Sequence, residues 1–484
     1  MVDLFIRNRE ETAPRRPIAA PTGSGTDAVL AAAGNWLLHH QRSIRAAQWI
    51  VVGVYALLVI VPAFLPLPQR GAHIWNNLTL FAQFVFWGIW WPFVLLSMVF
   101  VGRLWCGLLC PEGALSEAMS RHGRARHTPH WISWKGWPFA AFACTTAYGQ
   151  FVSVYQYPKP ALLILGGSTL AAMAVGYLFG RGKRVWCRYM CPVTGVFGLL
   201  AKLAPIHYRV DRTAWDLAPK PTVAEARLVN CAPLVPIRTM QGAGQCHMCG
   251  RCSGFRGAVT LARRSPSHEI VHVAGLKPSP WETWLIVFGL MGLAAGAFHW
   301  ASSPWFVAAK QAIAAWLIDR GMLWPLTAHA PWWVLTSYPG QNDVMTPLDG
   351  VVLLGYLLSA TLAIGGAVSL CLAASCRMLD RSGSPAGWRA RFHHLAQSLI
   401  PVAGCGVFLG LFGLTAFMLH ADGVALPFVA AARALLMAAS GVWSAVLAWR
   451  ICGLYAKSPG ARWAATVPMV TAACLGIASW AAPF

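Results

Sequence analysis

Nine apolar stretches, at about 46–66, 78–101, 137–155, 161–180, 281–301, 350–375, 395–419, 427–449 and 463–482, constrain this 484-residue chain more than any other feature. A helix needs about 20 apolar residues to cross a hydrocarbon layer roughly 30 Å thick. In lipid every backbone polar group must find its partner within the protein, so a spanning segment of this kind is a helix. Asp, Glu, Lys and Arg make up only 11% of the residues, against about a quarter in soluble domains. The expectation is an all-α polytopic membrane protein of about nine transmembrane helices, in contact with membrane lipid.

The formal net charge of +22 does not point to nucleic acid, because the basic residues sit in the loops. With the N-terminus on the inside, 33 of the 38 Lys and Arg fall in inside segments and four, Arg70, Lys159, Lys310 and Arg320, in outside loops. That bias is the positive-inside rule, and it predicts a cytoplasmic N-terminus. Trp105, Trp131, Trp134, Trp137, Trp186, Trp281 and Trp284 lie near the expected span ends, where amphipathic rings belong. Four regions follow: a mobile cytoplasmic basic arm over 1–45, a repeated helical-hairpin membrane domain over 46–206, a cytoplasmic ferredoxin-like domain over 207–280, and a second membrane domain of about five helices over 281–484. The arm carries no evident cleavable signal. Within the outside loop 302–349, residues 304–320 read as an interfacial helix with Trp305, Phe306 and Trp316 on its apolar side.

The chain has 14 cysteines. Six (Cys144, Cys371, Cys376, Cys405, Cys452 and Cys474) are scattered in or beside apolar spans and read as small buried hydrophobes. The other eight are grouped. Arg103-Leu104-Trp105-Cys106 leads after three residues to Cys110-Pro111, and Arg184-Val185-Trp186-Cys187 leads after three to Cys191-Pro192, 81 residues further on. Each motif closes the second helix of a hairpin, so the first four spans read as one unit used twice. A four-residue spacing puts two thiols on one helical face. Two such turns facing each other at the inner ends of spans two and four offer four thiolates, the ligand set of one [4Fe-4S] cluster. Zinc is the alternative for the same residues, although structural zinc sites favour shorter spacings in compact domains.

Cys246-x2-Cys249-x2-Cys252 is the run with which ferredoxins wrap three corners of a cubane. Gly250, Gly254 and Gly257 permit its tight turns. No Cys-Pro follows, so the fourth ligand comes from elsewhere: Cys231 is the unassigned cysteine of the domain, with His247 the alternative on spacing. Arg103, Lys183, Arg184, Arg188, Arg251 and Arg256 surround these motifs, and positive charge there favours the reduced form of a cluster. Topology alone is the other reading of the same arginines.

The two W-C-x3-C-P motifs on a hairpin scaffold resemble the membrane polyferredoxins, a family that includes NapH-like quinol dehydrogenase subunits, the C-terminal membrane part of NosR-like proteins and CcoG-like proteins. The resemblance covers about residues 46–265 and implies two cytoplasmic [4Fe-4S] clusters at the eight cysteines. The chain departs from that pattern in its single truncated ferredoxin run and in five further spans. A long polyferredoxin with an extra membrane block is similar to FtrD-type proteins of bacterial ferrous-iron uptake. That similarity implies a bacterial inner-membrane location and three partners: an iron permease, a periplasmic iron-binding protein and a cupredoxin.

Inner-face clusters are too far from the outer face for one efficient electron step across about 30 Å. A quinone, a haem, a further cluster or a partner protein must bridge the gap. His299 and His420 are outer-side candidates for haem ligation, and ordinary interfacial polar residues are the plainer reading of both. Arg433 lies inside a span, where a charge marks a functional candidate or a side chain that snorkels to the surface. The chain therefore reads as an electron carrier between the cytoplasmic face or quinone pool and a redox partner, in iron uptake or in quinol-linked respiration. No nucleophile, paired carboxylate or phosphate loop stands out. A cluster-regulated metal transporter and an assembly factor are the rivals.

Overall fold

A computed structural model describes residues 25–69, 71–219, 229–381 and 387–481. Among them, eight helices are long and apolar enough to cross a membrane: Gln41–Phe64, Leu78–Val101, Pro158–Phe179, Pro280–Ser302, Pro347–Arg381, Trp388–Ala421, Val429–Tyr455 and Pro459–Ala481. Large apolar side chains stand exposed along them, such as Ile50 at 69% and Leu370 at 73%. A soluble helix would bury such a face, so this one suits lipid. The all-α polytopic architecture is as the composition requires.

The ninth expected span, 137–155, is shorter than the hydropathy suggests. Helix Trp137–Phe151 has 15 residues, about 22 Å at ~1.5 Å per residue. Pro138 starts it, and Ser153 in the left-handed region (φ 50°) turns the chain beyond its end. The helix lies alongside Pro280–Ser302. The Trp134 ring, just before the start of the first helix, sits 4.9 Å from that of Trp281 in the first turn of the second. At the other end Gln150 Oε1 accepts from Trp300 Nε1 at 2.9 Å.

One apolar core runs through both membrane blocks, from Val94 and Met98 through Leu199, Ile286 and Leu290 to Val402, Leu447 and Met469. Three spans contain a π-helical stretch, at Phe84–Trp90, Leu162–Gly166 and Leu285–Leu293. Within the first, the Gly88 carbonyl accepts from Thr415 Oγ1 at 2.8 Å. Such wide turns free backbone groups that a neighbouring hydroxyl can satisfy, and here the donor comes from the second block.

Residues 25–45, expected as part of the arm, are helical. Gly25–His39 is a helix, and the next one starts at Gln41. Ser253 Oγ donates to Asn35 Oδ1 at 2.9 Å, which docks the first helix on the third cysteine group. Gly34 permits the contact: a Cβ there would meet Ser253 Oγ at 3.0 Å and the Leu261 Cβ at 3.1 Å. The rest of the expected arm, residues 1–24, lies outside the described residues.

The cysteine-rich domain is built on two antiparallel strands, β1 (Ile206–Val210) and β2 (Val259–Arg263), with Tyr208 opposite Leu261. Its later part is gripped by the second block. His394 Nε2 donates to the Ile270 carbonyl at 2.8 Å, and Arg450 Nη1 donates to Ser267 Oγ at 2.6 Å. Lys202 Nζ reaches both Glu282 Oε2 (2.7 Å) and Gln397 Oε1 (2.8 Å). On the opposite face, helix Pro304–Asp319 exposes Trp305 and Trp316 and buries Phe306, an arrangement suited to an interface.

Candidate metal centre

The first two motifs break where proline dictates. Cys106 lies in the short helix Leu104–Leu108, whereas Cys110 has extended backbone (φ −63°, ψ 118°) and caps the next helix, Pro111–Arg121. A residue before proline avoids the helical region, so the two thiols do not share one continuous helix as the spacing alone suggests. Cys110 Sγ instead accepts from Gly113 N at 3.4 Å, at a helix N-terminus that favours a thiolate. The second copy is alike: Cys187 lies in Val185–Tyr189, and Cys191 precedes Pro192.

The copies face each other with a crossed exchange of arginines. Arg103, three residues before Cys106, sends Nη2 to Thr194 Oγ1 in the other motif (2.8 Å), and Thr194 in turn donates to the Cys187 carbonyl (2.8 Å). Arg184, three residues before Cys187, donates through Nη1 to the Cys106 carbonyl. Its guanidinium also fills the space beside Gly113. Trp186 Nε1 adds a bond to Glu112 Oε2 at 3.3 Å. The repeat thus becomes a pseudo-symmetric pair that gathers Cys106, Cys110, Cys187 and Cys191. Burial, then the charge of Cys187 and Cys106, pushes the Cys110 thiol well up. Cys187 is pushed up to about 12 by burial, and Cys191 is raised by burial, then Glu112, Cys187 and Cys110.

The second set is Cys231, Cys246, Cys249 and Cys252. Burial, then the charge of Cys246, Cys249 and Cys231, raises the Cys252 thiol. Cys246 stands at about 12 through burial, offset in part by the Met248 N–H that its sulfur accepts at 3.4 Å. Met248, Gly250, Gly254, Arg256 and Gly257 all have positive φ, and these turns wrap the run. His247 is buried at 1% exposure. Burial and then Arg103, Arg184 and Arg188 push its imidazole well below the usual range.

The two sets touch. A Cβ on Gly107 would stand 2.0 Å from the His247 carbonyl oxygen and 3.0 Å from Cys249 N. Helix Gln41–Phe64 clamps both loops: Gln41 Nε2 donates to the Cys249 carbonyl (3.0 Å), and Gln48 Nε2 donates to that of Gly107 (3.0 Å). Glu117 joins them further. It accepts from Arg184 Nε at 2.8 Å on one side and from Arg251 Nη2, inside the ferredoxin run, at 2.7 Å on the other. Burial alone would raise the Glu117 carboxyl, but the two arginines outweigh it and hold it at about 2. Glu117, Gln41 and Gln48 escape a search for metal ligands. The signal was a pair of carboxylates, Glu112 and Glu117, among basic motifs in a chain with only 16 acidic residues.

Two observations test the fit to iron–sulfur clusters. Among the described residues, no three His, Cys, Asp or Glu side chains converge closely enough to hold a single metal ion. Yet the sulfurs of each set feel one another's charge; a cubane separates its thiolates more widely than one ion does. Buried donors beside both sets also find no acceptor among the described residues: Arg103 Nε, Arg184 Nη2, His247 Nδ1 and Tyr208 Oη. Sulfide and thiolate sulfurs accept such bonds. The residues fit the group.

His299 spends Nδ1 on the carbonyl of Ala295 in its own helix (2.9 Å) and sets its ring edge-on to Trp480. His420 and Arg433 line a cavity of about 950 Å³ with Met437 and Trp480, and His299 is not part of its lining. Of the scattered cysteines, Cys376 and Cys452 are buried, but Cys144 and Cys474 are exposed, contrary to the expectation that all six are buried.

Fold and site together describe a multi-pass helical membrane protein whose two cysteine motifs lie in segments similar to a 4Fe-4S binding domain. The family described by that name matches twice, over residues 83–129 and 162–210, one match for each half of the crossed pair. The chain is also similar to the putative electron transport protein YccM of Escherichia coli (strain K12), with 23% identity over 230 residues. That stretch is 41% of this chain and 61% of the relative, so the chain spans less than two thirds of the relative's length. No solved structure matches.

Proposed function

We propose that this protein is a membrane-bound electron carrier with two [4Fe-4S] clusters, one on Cys106, Cys110, Cys187 and Cys191 and one on Cys231, Cys246, Cys249 and Cys252. The observation that carries the reading is the contact between two four-cysteine sets at one end of the helical bundle, sealed at Gly107. Each cluster would supply a one-electron couple. The chain's own part is to bury the thiols, to provide buried N–H and O–H donors, and to hold the two sites together through Glu117, Gln41 and Gln48. The similarity to a protein named for electron transport supports this role.

The charge bias of the loops supports a cytoplasmic position for both sites, in the inner membrane of a bacterium. The finer reading is ferrous-iron uptake of the FtrD type, with a permease, a periplasmic iron-binding protein and a cupredoxin as partners. Its support is the second membrane block joined to a polyferredoxin half. Quinol-linked electron transfer of the NapH or NosR kind is the alternative, with a quinone rather than a protein at one end of the path.

Anaerobic purification tests the central claim. Brown protein with about eight irons and an EPR signal on reduction is expected, from two four-iron clusters. Cys106→Ser and Cys252→Ser should each remove about half the iron. Colourless protein that holds zinc overturns the reading.

A further inference from the structure

The arginines of the two crossed motifs do more than close the repeat. Arg184 is 1% exposed and Arg103 5% exposed, so neither sits at the headgroups, where a purely topological charge belongs. Each is tied to both cysteine sets. The Arg184 side chain bonds the Cys106 carbonyl of the first set, while its backbone N donates to the carbonyl of Ala232, next to Cys231 of the second, at 2.8 Å. Arg103 bonds Thr194, which holds the Cys187 carbonyl. Its Nη1 also donates at 3.1 Å to the carbonyl of Gly244, two residues before Cys246. The charge of Arg184 is felt at Cys187, Cys249 and Cys110, and that of Arg103 at Cys187 and Cys246.

Both guanidinium groups keep a buried N–H that no acceptor among the described residues takes: Nη2 of Arg184 and Nε of Arg103. A buried donor left unmatched is costly, and more so when it carries charge. Its persistence at two pseudo-equivalent positions asks for an acceptor that both face.

We propose that Arg103 and Arg184 form a cationic bridge common to the two cluster sites, each donating its unspent N–H to cluster sulfur, so that the clusters share one electrostatic control. The inference rests on the two-cluster reading above. Removing either cation disfavours the added electron at both sites, because each arginine lies between them. Ordinary counter-ions, one per cluster, would shift one site and leave the other alone. Glu117 acts in the opposite sense: it offsets the charge of Arg184.

EPR-monitored redox titration of the full-length protein in detergent tests this, with iron content measured on the same samples. Arg184→Gln and Arg103→Gln are each expected to keep their iron and to lower both midpoint potentials. Glu117→Gln is expected to raise both, and it serves as a second probe if an arginine variant loses iron. Iron-replete variants in which one potential moves alone, or neither moves, overturn the shared bridge and leave the two-cluster reading intact. Wild-type protein without clusters overturns both.

Discussion

Gly107 and His247 meet backbone to side-chain position: a Cβ on Gly107 would lie 2.0 Å from the His247 carbonyl oxygen. Nothing at that contact is the flexible end of a side chain, so a substitution must move one cysteine loop away from the other. Gly107→Ala is therefore expected to destabilise by about 1–3 kcal/mol, the usual range for overpacking. It should also release iron faster than wild type. Thermal unfolding in detergent and timed iron release to a chelator check it.

Glu117 gives a pH signature. Its carboxyl is held at about 2 in the fold against an ordinary value of 4.5. A depressed acid contributes stability that is full above the ordinary value and fades as pH falls towards the folded one. Wild-type stability should thus decline between about pH 4.5 and pH 2 more steeply than that of Glu117→Gln. Unfolding temperatures of both proteins across that window decide it.

Truncating the same residue has a larger effect. Glu117→Ala leaves Arg184, 1% exposed, without its carboxylate. Breaking a buried pair from one side costs about 3–5 kcal/mol. Reduced yield of folded protein and a lowered unfolding temperature are expected, with Arg121→Ala, on the exposed partner, close to neutral.

Helix Gly25–His39 shields the second cysteine set. Gly34→Leu should push it off Ser253 and Leu261. The expected result is several-fold faster bleaching in air of about half the cluster absorbance, with the remainder unchanged. Uniform bleaching, or none beyond wild type, would show that the helix guards neither set.

Thr415→Val removes the hydroxyl that satisfies the Gly88 carbonyl across the two blocks. Hydrogen bonds between membrane helices average about 0.6 kcal/mol and reach about 1.7. A loss within that range in detergent unfolding is expected, without change in iron content.

The grouping of the eight cysteines was legible because a repeated motif announces itself along the chain. The crossing of Arg103 and Arg184 was not, since only the placement of one copy against the other creates it. The 137–155 span was overread for a local reason: Val152, Val154 and Tyr155 continue the apolar run after the helix has ended, and Val152 and Val154 are buried against Tyr55 and Trp87. Helix Gly25–His39 was missed because its sequence is short and Ala-rich and buries only Gly34. Its helicity depends on the cysteine domain it covers.

The crossed pair also fixes an order of biogenesis. Each half of the repeat supplies two thiols, so a nascent chain synthesised only as far as Arg121 holds no complete ligand set. On the two-cluster reading, the first ligand set is complete only once Cys191 has been made, and the second only once Cys252 has. At that point the helices that grip Ile270 and Ser267 are still to be made. The cysteine domain thus gains its grip from His394 and Arg450 only after both ligand sets have been made.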